Sequence, residues 1–300
     1  MALEMINLHK RFGSHEAVGG LDARIAPGEM FGMLGANGAG KTTTFRMIIG
    51  LLDPSNGSVT WQGERLNYRR THLVGYLPEE RGLFPKLTVK EQLVYLMRLN
   101  RMSKTAILSE LDRWLDRFQI AHYKNKKIEE LSKGNQQKIQ FMAAVLHRPE
   151  LLILDEPFSG LDPVNADMLK EAVLDLQKAG ATIVFSSHQM HNVEELCEEM
   201  IMLKNGKAVL QGHLKDIKRS YGMKSLAVKA DYDLSFLQTE AGVLDWREVK
   251  DGAHLQIKDE ETAERLFQIL AARGFVRKFE VEEPSLHDIF IDQVGGSTHA

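Results

Sequence analysis

Gly35-Ala36-Asn37-Gly38-Ala39-Gly40-Lys41-Thr42 sets two glycine turns, a lysine and a hydroxyl in the pattern G-x-x-x-x-G-K-T. An apolar stretch precedes it and a helical stretch, Thr43 to Leu52, follows, which is the context a phosphate-binding loop requires. The glycines let successive backbone N–H groups turn inward around a β-phosphate, and the helix N-terminus adds its dipole. Lys41 places a point charge on the β and γ oxygens, and Thr42 offers a hydroxyl to Mg²⁺. The loop alone does not choose among kinases, GTPases and ATPases.

Leu151 to Asp155 reads as the second half of the same site, an apolar strand ending in a carboxylate. In a parallel α/β sheet that ending places Asp155 at the carboxyl edge, where it can hold Mg²⁺ or its water shell. Glu156, one residue beyond the metal ligand, can take a proton from an attacking water without sharing the metal. The plainer alternative is that both carboxylates only cap the next element.

These residues need a scaffold. The chain's 300 residues fit one large domain and one small one, with apolar content for two cores. A net charge of -3 with interspersed signs offers no basic face for nucleic acid. Cys197 is the sole cysteine, so neither an intrachain disulfide nor a thiolate cluster is available, and a reducing cytosol is expected. The first residues do not read as a secretion leader, and apolar runs such as Phe141 to Leu146 fall far short of the roughly twenty residues a spanning helix needs. Any membrane role must then come through a partner.

Short apolar runs without alternation, before Gly35, at Leu151 to Leu154 and at Thr182 to Phe185, are expected to be strands buried on both faces. From about residue 85 to residue 135 the period is helical. Thr88 and Glu91 predict a capping box, and Ile107, Leu111, Trp114, Leu115 and Phe118 one apolar stripe, read as helix core. After about Tyr221 the pattern changes to a strand at Ser225 to Lys229, a hairpin of Val243 to Val249 and His254 to Ile257 around Asp251-Gly252, and a helix through Ala263, Leu266, Phe267 and Leu270 ended by Gly274. A strand from Val276 to Val281, then Pro284 and a short helix with Leu286, Ile289 and Phe290, complete a small α+β domain, with a ferredoxin-like arrangement as one option. Gly295 to Ala300 read as a frayed tail. The expected domains are residues 1–220 and 221–300.

Leu131-Ser132-Lys133-Gly134-Asn135, followed by Gln136-Gln137 and by Asp155-Glu156, resembles the signature and second phosphate-site motif of ABC ATPases, the nucleotide-binding subunits of ABC transporters. The resemblance covers residues 1 to about 220. It implies an α/β P-loop domain with a parallel-sheet core, an antiparallel β subdomain and a helical insertion, binding ATP and Mg²⁺. It assigns Phe12 to stacking on adenine, although an aromatic in a β-rich start is often core. Gly35 through Thr43 would cradle the phosphates, Tyr76-Leu77-Pro78-Glu79 would touch the metal, Ser159-Gly160-Leu161-Asp162 would make a dimer contact, and His188, after Ser187, would sense the γ-phosphate. The alternative for His188 is a structural histidine. Ser132, as a helix N-cap, and the Gly134 N–H form an anion site with no phosphate of its own chain to hold. Together with Asn135 it is implied to close on ATP bound by a second subunit, making a head-to-tail homodimer that opens on hydrolysis.

The sequence departs from the family's usual Leu-Ser-Gly-Gly-Gln at Lys133 and Asn135, and carries Glu79 where glutamine is usual. A carboxylate there would bind Mg²⁺ more strongly and repel a metal-free triphosphate, unless Arg81 pairs with it. These features, with the ending Pro284-Ser285-Leu286-His287-Asp288-Ile289-Phe290, resemble the ATPases of ABC-2 type exporters, including sodium exporters. That implies separate membrane permease subunits as partners and a place on the inner face of the cell membrane. The competing reading is a soluble ABC ATPase of translation or DNA repair; such proteins usually carry two such domains, long coiled-coil arms or zinc-binding cysteines. A P-loop kinase does not account for the signature or for Glu156.

Overall fold

The computed structural model describes residues 2–66, 70–80, 82–222 and 224–295. The chain divides into two units, residues 1–211 and 212–300. The first begins with β1 (Leu3–Phe12), β2 (His15–Ile25), β3 (Met30–Leu34), α1 (Lys41–Ile48), β4 (Asn56–Trp61) and β5 (Val74–Leu77). Then come α2 (Val89–Leu99), α3 (Lys104–Arg117), α4 (Lys133–Val145), β6 (Leu151–Leu154), α5 (Pro163–Lys178), β7 (Thr182–Ser187), α6 (Met190–Leu196), β8 (Glu199–Lys204) and β9 (Lys207–His213).

The central sheet has the order β5-β6-β7-β3-β8-β9, and β5, β6, β7, β3 and β8 pair in parallel. Every residue of β3, β6 and β7 is buried, which is why these strands are apolar apart from Thr182 at the start of β7 and Ser186-Ser187 at its end. The register aligns Leu34 with Ser187 and both Leu77 and Phe185 with Leu154, so one sheet edge gathers the loops after β3, β5, β6 and β7. Parallel α/β sheets bind ligands at this carboxyl edge. A three-stranded antiparallel sheet, β2-β1-β4, lies beside it and shares its core through Leu3, Leu8, Leu21 and Trp61.

The helical insertion forms as its pattern predicts. The Thr88 hydroxyl accepts the Glu91 N–H at 3.2 Å, and Glu91 accepts the Thr88 N–H at 2.9 Å, closing the capping box of α2. Ile107, Leu111, Trp114, Leu115 and Phe118 are all buried. Trp114 and Phe118 meet Phe141 of α4 edge-on, at 5.8 and 6.0 Å between ring centroids. Gly75 lets β5 run against α4: a Cβ there would stand 2.2 Å from the Ala144 carbonyl oxygen.

The second unit contains α7 (Leu214–Ser220), β10 (Lys224–Ala230), β11 (Val243–Val249), β12 (Gly252–Ile257), α8 (Glu260–Arg273), β13 (Val276–Glu282) and α9 (Leu286–Gly295). Grouping α7 here puts the division before the change of pattern near Tyr221. The antiparallel order β11-β12-β10-β13 is that of a split β-α-β sheet in which a 3₁₀ turn, Ser235–Thr239, replaces the first helix. Leu226, Leu255, Leu266 and Leu270 lie in its core. Phe267 does not. It is 49 % exposed and stands edge-on to Phe279. Gly274 ends α8 with extended backbone (φ 163°), not the left-handed turn common at helix ends. The tail residues 296–300 lie outside the described residues. No described helix is long and apolar enough to cross a membrane.

Candidate active site

The phosphate loop leaves β3 through Gly35 and enters α1 through Gly40, whose φ of 104° suits only glycine. A Cβ at Gly40 would lie 2.6 Å from the Ala17 carbonyl oxygen. No side chain caps α1, so its first N–H groups remain available to an anion. Ala36, Asn37, Gly38, Ala39, Gly40, Lys41, Thr42 and Thr43 line a cavity of about 380 Å³, closed at its rim by Phe12, His15, Ala17 and Glu79. The Phe12 ring is 51 % exposed, so it is no part of the core, and Lys10 lies over it at 5.3 Å.

Behind the loop the charged groups converge. The Thr42 hydroxyl donates to Asp155 Oδ2 at 2.7 Å, and the Ser186 hydroxyl donates to Asp155 Oδ1 at 2.6 Å. The Glu156 N–H donates to Ser186 Oγ at 2.9 Å. Lys41 Nζ donates to the Gly35 carbonyl at 2.6 Å and stands 3.3 Å from Glu156 Oε1. Glu156 Oε2 is 2.7 Å from His188 Nδ1 and accepts the His188 N–H at 3.3 Å. A carboxylate can only accept, so Nδ1 carries the proton and the other ring nitrogen is left free of it in the neutral imidazole. Lys41, Asp155 and Glu156 are buried, whereas His188 is 44 % exposed. Tyr76, beneath this cluster, has its hydroxyl pushed up to about 12, first by burial and then by the Asp155 charge, against the opposing pull of Arg46. It stays protonated.

The paired oxygens of Thr42 and Asp155 are hard donors of the kind Mg²⁺ prefers. Among the described residues no three acidic, histidine or cysteine groups cluster as a self-sufficient metal cage. An ion here would take its remaining ligands from substrate and water, which is how Mg²⁺ binds with phosphates. Glu79 lines the rim; its pairing with Arg81 lies outside the described residues.

The signature residues form a separate cluster. Ser132 caps α4, its Oγ accepting the Asn135 N–H at 3.3 Å. Asp162 caps α5, accepting from the Asn165 N–H at 3.0 Å and its side-chain amide at 2.5 Å. Those bonds hold the Asp162 carboxyl below the usual range. Gly134 faces that Asn165 amide closely: a Cβ there would stand 3.2 Å from its nitrogen, tighter than ordinary contact. Among the described residues, no hydrogen bond or ion pair joins Ser132, Gly134, Asn135 or Asp162 to the phosphate loop of the same chain. The connection is indirect. Gln137 donates to the Pro157 carbonyl at 3.1 Å, and Gln140 to those of Pro78 and Glu80, both at 3.0 Å. Ser186, Gln140, Asn165 and His15 carry no motif of their own; the polar Ser186-Ser187 pair ending an apolar strand was the one visible sign.

A glycine loop between a central parallel strand and a helix, backed by an aspartate from a nearby strand, defines a P-loop nucleoside triphosphatase. Residues 18–159 match the family model of ABC transporters, and residues 212–294 that of the C-terminal domain of DrrA1-3-like ATP-binding proteins. The chain is 59 % identical over 293 residues to the ABC transporter ATP-binding protein YhaQ of Bacillus subtilis, covering 98 % of each. It is 34 % identical over 213 residues to the Nod factor export ATP-binding protein I of Cupriavidus metallidurans, covering 70 % of each. A solved ATP-binding subunit of an ABC transporter superposes with a TM-score of 0.70 at 32 % identity, covering 74 % of this chain and 94 % of that one. The chain belongs to the ABC transporter ATP-binding proteins and is the ATP-binding subunit of a transporter. Subunits of this family bind and hydrolyse ATP, dimerise, and work with membrane permease partners. A nucleic-acid machine is not favoured.

Proposed function

We propose that this chain is the Mg²⁺-dependent ATPase that drives export through separate ABC-2 type permease subunits, acting as a homodimer on the cytoplasmic face of the membrane. The observation that carries the reading is the buried convergence of Lys41, Thr42, Asp155 and Glu156 beside His188. Lys41 exchanges Glu156 for the β and γ phosphates when ATP enters the cradle. Thr42 and Asp155 hold the ion, with Glu79 at the rim. When bound, Mg²⁺ offsets charge on the β and γ oxygens. Glu156 takes a proton from the water that attacks the γ-phosphorus, and His188, oriented by Glu156, senses the phosphate. Phe12 stacks on adenine, and Ser132, Gly134 and Asn135 close on the ATP of the second subunit, with Asp162 at the contact.

A cavity of about 520 Å³ between the core and the helical insertion supports permease docking; it is lined by Leu51, Leu83, Leu96 and Leu99 beside Tyr76 and Pro78. Leu51 and Leu99 are strongly exposed, an arrangement typical of a surface awaiting a partner. Export is supported by the name of the Nod factor relative, and the ABC-2 type by the DrrA-like C-terminal match. We read residues 1–220 as the nucleotide-binding domain and the remainder as an accessory α+β domain.

Purified protein, alone and with candidate permease subunits, should release free phosphate from ATP only with Mg²⁺ and should co-purify with a membrane protein. A phosphorylated small-molecule product, or tight nucleic-acid binding without a membrane partner, refutes the reading.

A further inference from the structure

Ser186, next to last in β7, is fully buried and makes two hydrogen bonds, one to the Asp155 carboxylate and one from the Glu156 backbone. Its one proton goes to Asp155 Oδ1 at 2.6 Å, while its oxygen accepts the Glu156 N–H at 2.9 Å. With Oδ1 engaged, Asp155 presents Oδ2 to Thr42 at 2.7 Å. Glu156 itself has a φ of 51°, a left-handed conformation that a residue with a side chain adopts only when its surroundings hold it there. Its N–H has Ser186 as acceptor, so the same hydroxyl sets the rotamer of one carboxylate and the backbone of the other.

We propose that Ser186 is a positioning residue for both the metal-holding Asp155 and the water-activating Glu156. The proposal rests on the roles given above to those two residues. Loss of the hydroxyl would strip a buried carboxylate oxygen and a backbone N–H of their partner at once, releasing Asp155 to turn and Glu156 to relax from its left-handed backbone. Threonine keeps the hydroxyl and adds a methyl group. Valine has threonine's shape without the oxygen, and both suit a strand. Comparing the two separates hydrogen bonding from packing.

The experiment compares full-length wild type, Ser186→Thr, Ser186→Val and Glu156→Gln. Steady-state ATP hydrolysis supplies kcat, KM and the Mg²⁺ concentration at half-maximal rate. A fluorescent ATP analogue supplies affinity in EDTA and in Mg²⁺. Ser186→Val should lower kcat roughly 10- to 100-fold, the usual effect of losing a group that orients a metal ligand. It should also raise the Mg²⁺ requirement and reduce the tightening that Mg²⁺ gives the analogue, with affinity in EDTA unchanged. Ser186→Thr should recover most of each loss. Equal behaviour of Thr and Val overturns the proposal, as does a loss of affinity by Val that is the same in EDTA and in Mg²⁺. Full hydrolysis by Glu156→Gln refutes the role of Glu156 instead, and the Mg²⁺-dependent binding of Thr against Val still decides whether Ser186 holds Asp155.

Discussion

Glu156→Gln separates two functions of one carboxylate, because Glu156 also stands as the counter-ion of Lys41. Both groups are buried and stand 3.3 Å apart, and among the described residues Lys41 otherwise has the carbonyls of Gly35 and Ala36 at 2.6 and 3.4 Å. Removing one partner of a buried ion pair costs about 3–5 kcal/mol. The two carbonyls, and the amide's ability to keep the His188 contact, set the lower end, about 3 kcal/mol. For a unit the size of residues 1–211 that corresponds to roughly 6–12 °C in melting temperature. Incoming ATP phosphates must displace Glu156 from Lys41 in wild type but not in the variant. The apo deficit should therefore reappear as tighter nucleotide binding, by up to about 150-fold for about 3 kcal/mol. Hydrolysis should meanwhile fall by about 10²–10⁴, the range for loss of a general base.

Thermal melts with and without ATP in EDTA, phosphate release in Mg²⁺, and gel filtration of the variant with ATP and Mg²⁺ measure all three consequences. The expected pattern is a low apo melting temperature that converges on wild type with ATP, a collapsed turnover, and a trapped dimer. Turnover within tenfold of wild type would sink the general-base role. A melting deficit that ATP leaves untouched would sink the exchange of Lys41 between Glu156 and phosphate.

Glu79→Gln should flatten the Mg²⁺ dependence of the ATPase, since a neutral amide at the rim attracts the ion less than a carboxylate does and does not repel a metal-free triphosphate; superimposable titrations of variant and wild type count against any metal role for the charge. Phe12→Ala should weaken ATP binding by roughly 5- to 150-fold, the equivalent of about 1–3 kcal/mol for base–aromatic stacking, and unchanged affinity would mean that adenine lies elsewhere. Asp162, whose carboxyl is depressed by the Asn165 N–H and then by the Asn165 side chain, stabilises the start of α5 at pH values above its ordinary 3.8 and loses that contribution as pH falls through its lower folded value. Asp162→Ala should accordingly melt below wild type at neutral pH, the gap narrowing once the carboxyl is protonated. A gap independent of pH would assign the effect to packing.

The chemistry was legible wherever one continuous stretch both carries and positions it. Gly35 to Thr42 is such a stretch, because its backbone builds the cradle, and Leu151 to Glu156 is another, because burial on both faces makes the strand apolar and its end carries the acids. The small domain's hairpin was readable from the Asp251-Gly252 turn between its strands, and β12 buries every second residue, whereas helical period alone does not say how wide the buried stripe of α8 is, and Phe267 is half exposed. Less legible were side chains whose partners are backbone atoms far along the chain. Gln140 resembles any amide in a helix until its two acceptors prove to be carbonyls of Pro78 and Glu80, on either side of Glu79. Gln137, one turn earlier on α4, holds the carbonyl of Pro157, the residue after Glu156. Residues three apart on a helix share a face, so these amides form one grip. The helix that Ser132 caps thus fastens the turns bearing both acidic residues, which explains why a signature read as a contact for another subunit's phosphate is followed by two glutamines aimed inward.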